Sequence, residues 1–188
     1  MNVERAIKTR KSVKRYSHKN VNWRKIIRAL DSARYAPMAG NIFSLKFILV
    51  KDEEIIKELA KCCQQAYVGK AQYVVVVVNN DECVKKSYGE RGEKYARQQA
   101  GAAIQNVLLS LNDLDLVTCW TGMFDDNGVK DALKIPADFT VEALLPIGIE
   151  TKIPTQLKHK TELENFLFFD EFDNKYMKRK EIVGVKAI

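Results

Sequence analysis

Histidine is nearly absent from this chain. Only His18 and His159 occur in 188 residues, too few for a His-rich metal site. The four cysteines, Cys62, Cys63, Cys83 and Cys119, include no CxxC pair, and adjacent Cys62-Cys63 do not make a zinc knuckle. Reduced, partly buried thiols in a cytoplasmic protein are the expectation, with a redox role for the Cys62-Cys63 pair as the lesser alternative. No apolar run is long enough to span a bilayer, and the polar N-terminus lacks a signal-peptide core, so no membrane partner is expected. GxGxxG and Walker A are missing, and so are internal repeats, low-complexity tracts and linkers. One domain spanning 1–188 is therefore expected, of a size that carries a sizeable core.

Acidic residues are missing from one place in particular. Residues 1–28 hold ten Lys/Arg against the single acid Glu4, a local charge of +9. The whole chain carries +7, so everything after residue 28 sums to −2. A basic region confined to one segment points to a local anionic site more than to a general nucleic-acid binder. Its centre is Arg10-Lys11-Ser12-Val13-Lys14-Arg15-Tyr16. Arginine offers a planar fork to a phosphate, lysine a point charge, and serine a neutral donor. The competing readings of the run alone are a solvated basic face or an arm that touches nucleic acid.

Residues 2–9 read as a short helix leading into this run, with Val3, Ala6 and Ile7 on one face. Asn22 is a good N-cap, and Val21 and Ile26 have staple spacing. An amphipathic helix from Trp23 to about Tyr35 follows, broken by Ala36-Pro37-Met38-Ala39-Gly40-Asn41. Leu45 to Lys51 reads as a strand, and Asp52 caps a helix whose buried side is Ile55, Ile56, Leu59 and Cys63. Five consecutive valines, Val74 to Val78, predict a central strand buried on both faces. The longest helix is expected from about Gly92 to Leu111, with a small-then-large apolar stripe that suits either core packing or a subunit interface. Val117 to Thr121 is a short strand, and Val129 to Leu133 a small helix. Val141 to Ile149 is a buried strand whose ladder Pro146 and Gly148 interrupt, and a glycine there would let a ligand approach the backbone. Ile182 to Val185 could add a strand or an arm.

Taken in order, these stretches resemble the nitroreductase family of flavoproteins nearly end to end. The family's opening Arg-Arg-Ser-x-Arg-x-Phe type motif stands here as Arg10 to Tyr16. Its Ala-Pro-Ser-x-x-Asn type turn stands as Ala36 to Asn41. The Gln-Asn-x-Leu-Leu segment is Gln105 to Leu109, and Trp-x-Gly is Trp120-Thr121-Gly122. The Leu-Gly-Ile-Pro type turn is Leu133 to Pro136, Pro-x-Gly-Tyr is Pro146 to Ile149, and the late basic pair is Lys158 and Lys160.

The resemblance implies an α+β nitroreductase-like fold: a central mixed, mostly antiparallel sheet flanked by helices, in an interlocked homodimer with FMN at the subunit interface. It implies that Arg10, Lys11, Ser12 and Lys14 hold the phosphate and ribityl chain, with Lys158 and Lys160 closing on the phosphate. Pro37, Met38, Ala39 and Asn41 would line the ring from the partner subunit. Pro146, Ile147 and Gly148 would present backbone groups to it, and Gln64 or Gln65 would place an amide near its pyrimidine edge. The implied activity is ping-pong transfer of hydride from NADH or NADPH, via flavin N5, to an electron-poor small molecule such as a nitroaromatic or a quinone. Flavin carries that chemistry, so no catalytic residue is assigned. For Asn41, turn chemistry is an equal alternative to ligand contact.

Several departures stand out. Met38 replaces the family's serine, Ile42-Phe43-Ser44-Leu45 replaces a polar stretch, and Lys11 and Lys14 replace arginines, keeping charge but losing the fork. The segment from Asn79 to Gly92 is short where larger relatives build a lid. The alternatives are therefore a family member with specialised flavin chemistry (flavin fragmentation, dehalogenation, azoline oxidation) and a non-catalytic module binding phosphate or nucleic acid.

Overall fold

A computed structural model of the chain describes residues 2–151 and 160–177. The chain divides into two units, Met1–Thr155 and Gln156–Ile188. Among its described residues the first contains six α-helices, α1 (Val3–Thr9), α2 (Trp23–Asp31), α3 (Glu53–Cys63), α4 (Glu82–Tyr88), α5 (Arg91–Asp113) and α6 (Asp126–Leu133). Its four strands are β1 (Leu45–Val50), β2 (Tyr73–Asn79), β3 (Val117–Thr118) and β4 (Thr140–Gly148). The sheet order is β1-β2-β4-β3 and every paired neighbour is antiparallel. An isolated parallel bridge, Ser12 to Thr118, makes the pairing mixed. The α+β architecture read from the resemblance is the one observed.

The five-valine run explains the layering. Side chains alternate across a strand. Val75 and Val77 therefore point into one core with Leu45, Leu145 and the α2 and α5 residues Ile26, Ile104 and Leu111. Val74, Val76 and Val78 point into a second core with Ile56, Leu59 and Cys63 of α3 and Val129 of α6. All seven residues of β2 are buried. At roughly 1.5–3 kcal/mol for each fully buried Val or Leu side chain, these two layers dominate the stability.

Local chemistry fixes the helix starts where the sequence places them. Asn22 Oδ1 accepts from Arg24 N at 3.1 Å, and Asp52 Oδ1 accepts from Glu54 N and Ile55 N at 3.0 Å each. The amphipathic helix expected to run to Tyr35 changes to a 3-10 turn at Ser32–Tyr35. β4 pairs with β2 straight through Pro146, contrary to the expected interruption; the register shifts instead between Val77 and Val78. Pro146 sits where the ladder on the other side is already open, between the Ile147–Thr118 and Leu144–Thr121 pairs, so its missing N–H leaves no acceptor stranded. Helix α4 has no counterpart in the sequence reading. Among its residues only Val84 is buried. Its end closes on the start of α5 because Gly92 lets the backbone of Lys85 come close; a Cβ there would lie 2.5 Å from Lys85 Cα.

In the second unit, a 3-10 turn at Leu163–Asn165 precedes a loop closed by Phe169 N donating to Asn174 O at 2.8 Å. Lys175 Nζ lies 4.1 Å from the centroid of the Phe168 ring. The expected strand or arm at Ile182 to Val185 lies outside the described residues. No described helix is long and apolar enough to cross a membrane.

Candidate cofactor site

The basic run leaves α1 at Arg10, whose backbone is already extended, and lies along the end of the sheet. Val13 N donates to Thr118 O at 3.0 Å, and Ser17 N donates to Ile149 O at 2.7 Å. Tyr16 bridges Glu150. Val13 is fully buried, while Lys14 and Arg15 are exposed. Helix α5 ties down the start of the run, since Asn112 Nδ2 donates to Thr9 Oγ1 at 2.8 Å and to Ala6 O at 3.2 Å.

Arg10 and Lys11 line a cleft of about 270 Å³ with Asn112, Thr118, Trp120 and Ile149. Two acids share its wall, Asp115 and Glu150. Lys11 Nζ is 2.9 Å from Glu150 Oε1, with both side chains less than a quarter exposed. Lys14 is held differently, with its Nζ 4.7 Å from the centroid of the Tyr67 ring. Thr118 is 6% exposed, and its Oγ1 has no hydrogen-bond partner among the described residues. A buried hydroxyl left unpaired costs roughly 1–3 kcal/mol, and such a group calls for a partner supplied from outside. Arginine, lysine and an orphaned hydroxyl on one wall form a donor set that fits a phosphorylated, hydroxylated ligand such as FMN.

Tyr16 and Tyr67 are the titratable groups behind this wall. Tyr16 packs on Gly148, and its hydroxyl donates to Val13 O at 3.2 Å or Pro146 O at 3.3 Å. Burial, with Cys119 and Tyr67 nearby, pushes that hydroxyl far above the usual phenol range. Burial pushes Tyr67 up to about 12, with Cys119 and Cys63 nearby adding to the shift. Burial likewise pushes Cys63 up to about 11 and raises Cys62, so this pair holds protonated thiols at neutral pH.

The run passes beside Ile147 and Gly148 through the Ser12–Thr118 bridge and the Tyr16 ring, but of Arg10, Lys11, Ser12 and Lys14 only the first two line the cleft. Ile147 points its side chain into the core and has only its backbone near the run. The space beside Gly148 is taken from within the chain. A Cβ there would lie 2.5 Å from Tyr16 Cδ1, so the glycine admits a tyrosine ring on this face. Gln65 belongs to the turn that carries Tyr67: its carbonyl accepts from Val68 N at 3.0 Å. Gln64 is exposed, in the left-handed region at φ 52°.

Pro37, Met38, Ala39 and Asn41 are elsewhere. Gln99 of α5 donates through Nε2 to Ile42 O at 2.9 Å, and the ring of Tyr88 covers Gly40. Gln99 and Asn112 are separated along α5 by about 20 Å at 1.5 Å per residue, so within one protomer this turn does not meet the basic run. Gly40 and Asn41 both have positive φ, 59° and 57°, the turn geometry that is one of the two readings of Asn41. Lys160 is exposed in the second unit, and Lys158 lies outside the described residues.

Thr118, Tyr67 and Glu150 were not singled out from the sequence. Thr118 and Glu150 flank apolar runs and leave a faint signal as polar residues at strand ends. Tyr67 leaves none.

Comparison with known proteins accords with this geometry. Residues 7–67 and 60–149 match the model of the nitroreductase family. A protein of Methanothermobacter thermautotrophicus, named as an NADH dehydrogenase/NAD(P)H nitroreductase, is 28% identical over 158 residues, covering 82% of this chain and 80% of that protein. A nitroreductase family protein from Clostridium novyi superposes with a TM-score of 0.75 at 27% identity, covering 93% of this chain and 96% of that one. The structure of a protein described as an FMN-dependent nitroreductase, from Clostridium difficile, superposes with a TM-score of 0.76 at 21% identity, over 89% and 98% of the two chains.

Proposed function

Because the chain belongs to the nitroreductase family, and hence to a family of oxidoreductases, we propose that it is an FMN-dependent NAD(P)H oxidoreductase acting on electron-poor small molecules such as nitroaromatics or quinones. The observation that carries this reading is the convergence of Arg10, Lys11 and the unpaired Thr118 hydroxyl on one cleft at the end of β3 and β4. When bound, FMN would supply the hydride and electron-transfer chemistry between NADH or NADPH and the acceptor.

The protein's part is to hold and orient. Arg10, Ser12 and Lys14 supply charge and a donor to the phosphate and ribityl end, and Thr118 adds a hydroxyl from the buried side. Lys11 contributes less, because Glu150 already offsets it. The backbone of Pro146 to Gly148 gives the run a rigid floor. Trp120, 40% exposed on the cleft wall, offers an aromatic face at its mouth.

A cleft of about 270 Å³ falls just short of a whole cofactor, since ligand sites run from about 300 to 1,000 Å³. A second protomer would complete it. The turn from Pro37 to Asn41, about 20 Å away along α5, then serves the partner's site. Val3 and Ile7 on α1 and Trp23 and Ile27 on α2 are large apolar side chains left exposed, as a homodimer interface requires.

The test is steady-state kinetics of the FMN-loaded protein with NADH and NADPH against a quinone and a nitroaromatic. The reading predicts turnover with parallel double-reciprocal lines. A protein that holds FMN and turns over neither acceptor would point to the specialised flavin chemistries instead.

A further inference from the structure

The two lysines of the basic run are treated differently by the fold. Lys11 is tied to Glu150 at 2.9 Å. Lys14 has no carboxylate in ion-pair range among the described residues, and its ammonium stands 4.7 Å above the Tyr67 ring. That ring is itself fixed. Thr121 Oγ1 donates to Cys119 O at 3.3 Å, which leaves the Tyr67 hydroxyl to donate to Thr121 Oγ1 at 2.8 Å, with Cys119 Sγ a weaker acceptor at 3.8 Å. Thr121 is buried and doubly bonded to Leu144 of β4, N to O and O to N at 3.0 Å each. A chain of contacts thus runs from the central sheet through Thr121 and Tyr67 to the Lys14 ammonium.

We infer that Tyr67 is a positioning residue: its anchored ring holds Lys14, whose charge no carboxylate among the described residues offsets, in place for the negative charge of the bound cofactor. The inference rests on the FMN reading and adds a division of labour to it. Lys11 with Glu150 straps the run to the end of β4, while Lys14 with Tyr67 meets the ligand. An aromatic face suits this task better than a carboxylate would. It restrains an ammonium through the ring quadrupole without neutralising it, so the full charge remains for the incoming anion. A free lysine would lose rotamer freedom on binding, and part of that loss is already met in the folded chain.

The experiment is a fluorescence titration of FMN, and in parallel of riboflavin, into the unaltered protein and into Tyr67→Phe, Tyr67→Leu, Lys14→Met and the Tyr67→Leu/Lys14→Met double variant. Circular dichroism checks that each is folded. Tyr67→Leu should weaken FMN about two- to fivefold, the range of an exposed cation–π contact. Lys14→Met should weaken it about tenfold or more, as for a lost charge-assisted bond. The double variant should bind like Lys14→Met alone, because Tyr67 acts through Lys14. Tyr67→Phe, which keeps the ring face but gives up the hydroxyl's anchor on Thr121, should weaken FMN by less than Tyr67→Leu does. A loss confined to FMN assigns the Lys14 charge to the phosphate, and an equal loss for riboflavin assigns it to the ring; either supports the role of Tyr67. Costs that add in the double variant, or a Tyr67→Leu protein that binds FMN as tightly as the unaltered protein, would overturn the inference and leave the cofactor reading standing. Failure of the unaltered protein to bind FMN would overturn both.

Discussion

At Gly148 the backbone of β4 passes directly beneath the ring of Tyr16, whose hydroxyl reaches the carbonyls of Val13 and Pro146. The sequence shows a glycine near the end of a buried strand, and ligand approach is a reasonable inference from it. Only the three-dimensional path of the basic run reveals that a tyrosine from 132 positions earlier fills the space. Gly148→Ala should therefore destabilise the fold by about 1–3 kcal/mol through overpacking. For a chain of this length each kcal/mol lowers the melting temperature by about 2–4 °C, so a calorimetric scan will see it. An unchanged melting temperature would mean that Tyr16 can move aside freely. The phenols give a second prediction. Tyr67 is pushed up to about 12 in the folded protein, and Tyr16 higher still, against about 10 when unfolded. Below pH 10 both states hold the proton and stability is unaffected. As pH rises through 10 toward 12 the unfolded chain loses its protons first, so stability falls. Urea midpoints measured across this interval should decline, and less steeply in Tyr67→Phe.

Elements with strong periodic patterning were legible, and those held by a few specific contacts were not. The β2 valines, the Asn22 and Asp52 caps and the long apolar stripe of α5 each carry a local signal that the tertiary structure reinforces. Helix α4 carries almost none. It is polar, buries only Val84, and owes its place to i,i+4 ion pairs such as Lys85–Asp81 at 2.8 Å and to the close approach at Gly92. The turn before β1 is a similar case. Its shape depends on Gln99, a buried amide on α5 that accepts from Ser44 N at 3.0 Å and Ser44 Oγ at 2.8 Å and donates to Ile42 O at 2.9 Å. Nothing in the sequence around Gln99 separates it from a solvent-facing glutamine. Gln99→Leu strands those groups together, and the expected loss is about 2–4 kcal/mol. A urea midpoint close to that of the parent protein would show that the turn is held by other means.

For the whole molecule, charge and shape point the same way. The excess of positive charge lies in the first 28 residues, and the fold lays the centre of that segment across one end of the sheet. That arrangement was half visible in advance. The charge map and the ordered motifs singled out the run and the family, but not the offset of Lys11 by Glu150 or the separation of the Pro37–Asn41 turn from the run. The separation makes the account depend on a second protomer, and light scattering should return twice the chain mass; a monomer that still binds FMN tightly would remove the need for that turn. The most direct test of the central claim is an anaerobic visible spectrum of the purified protein with added FMN, recorded before and after NADH and then NADPH. The account predicts a protein-bound yellow flavin that is bleached by at least one of the two donors. Protein that leaves FMN free in solution would contradict it, and would return the basic run to the alternative of a phosphate- or nucleic-acid-binding arm.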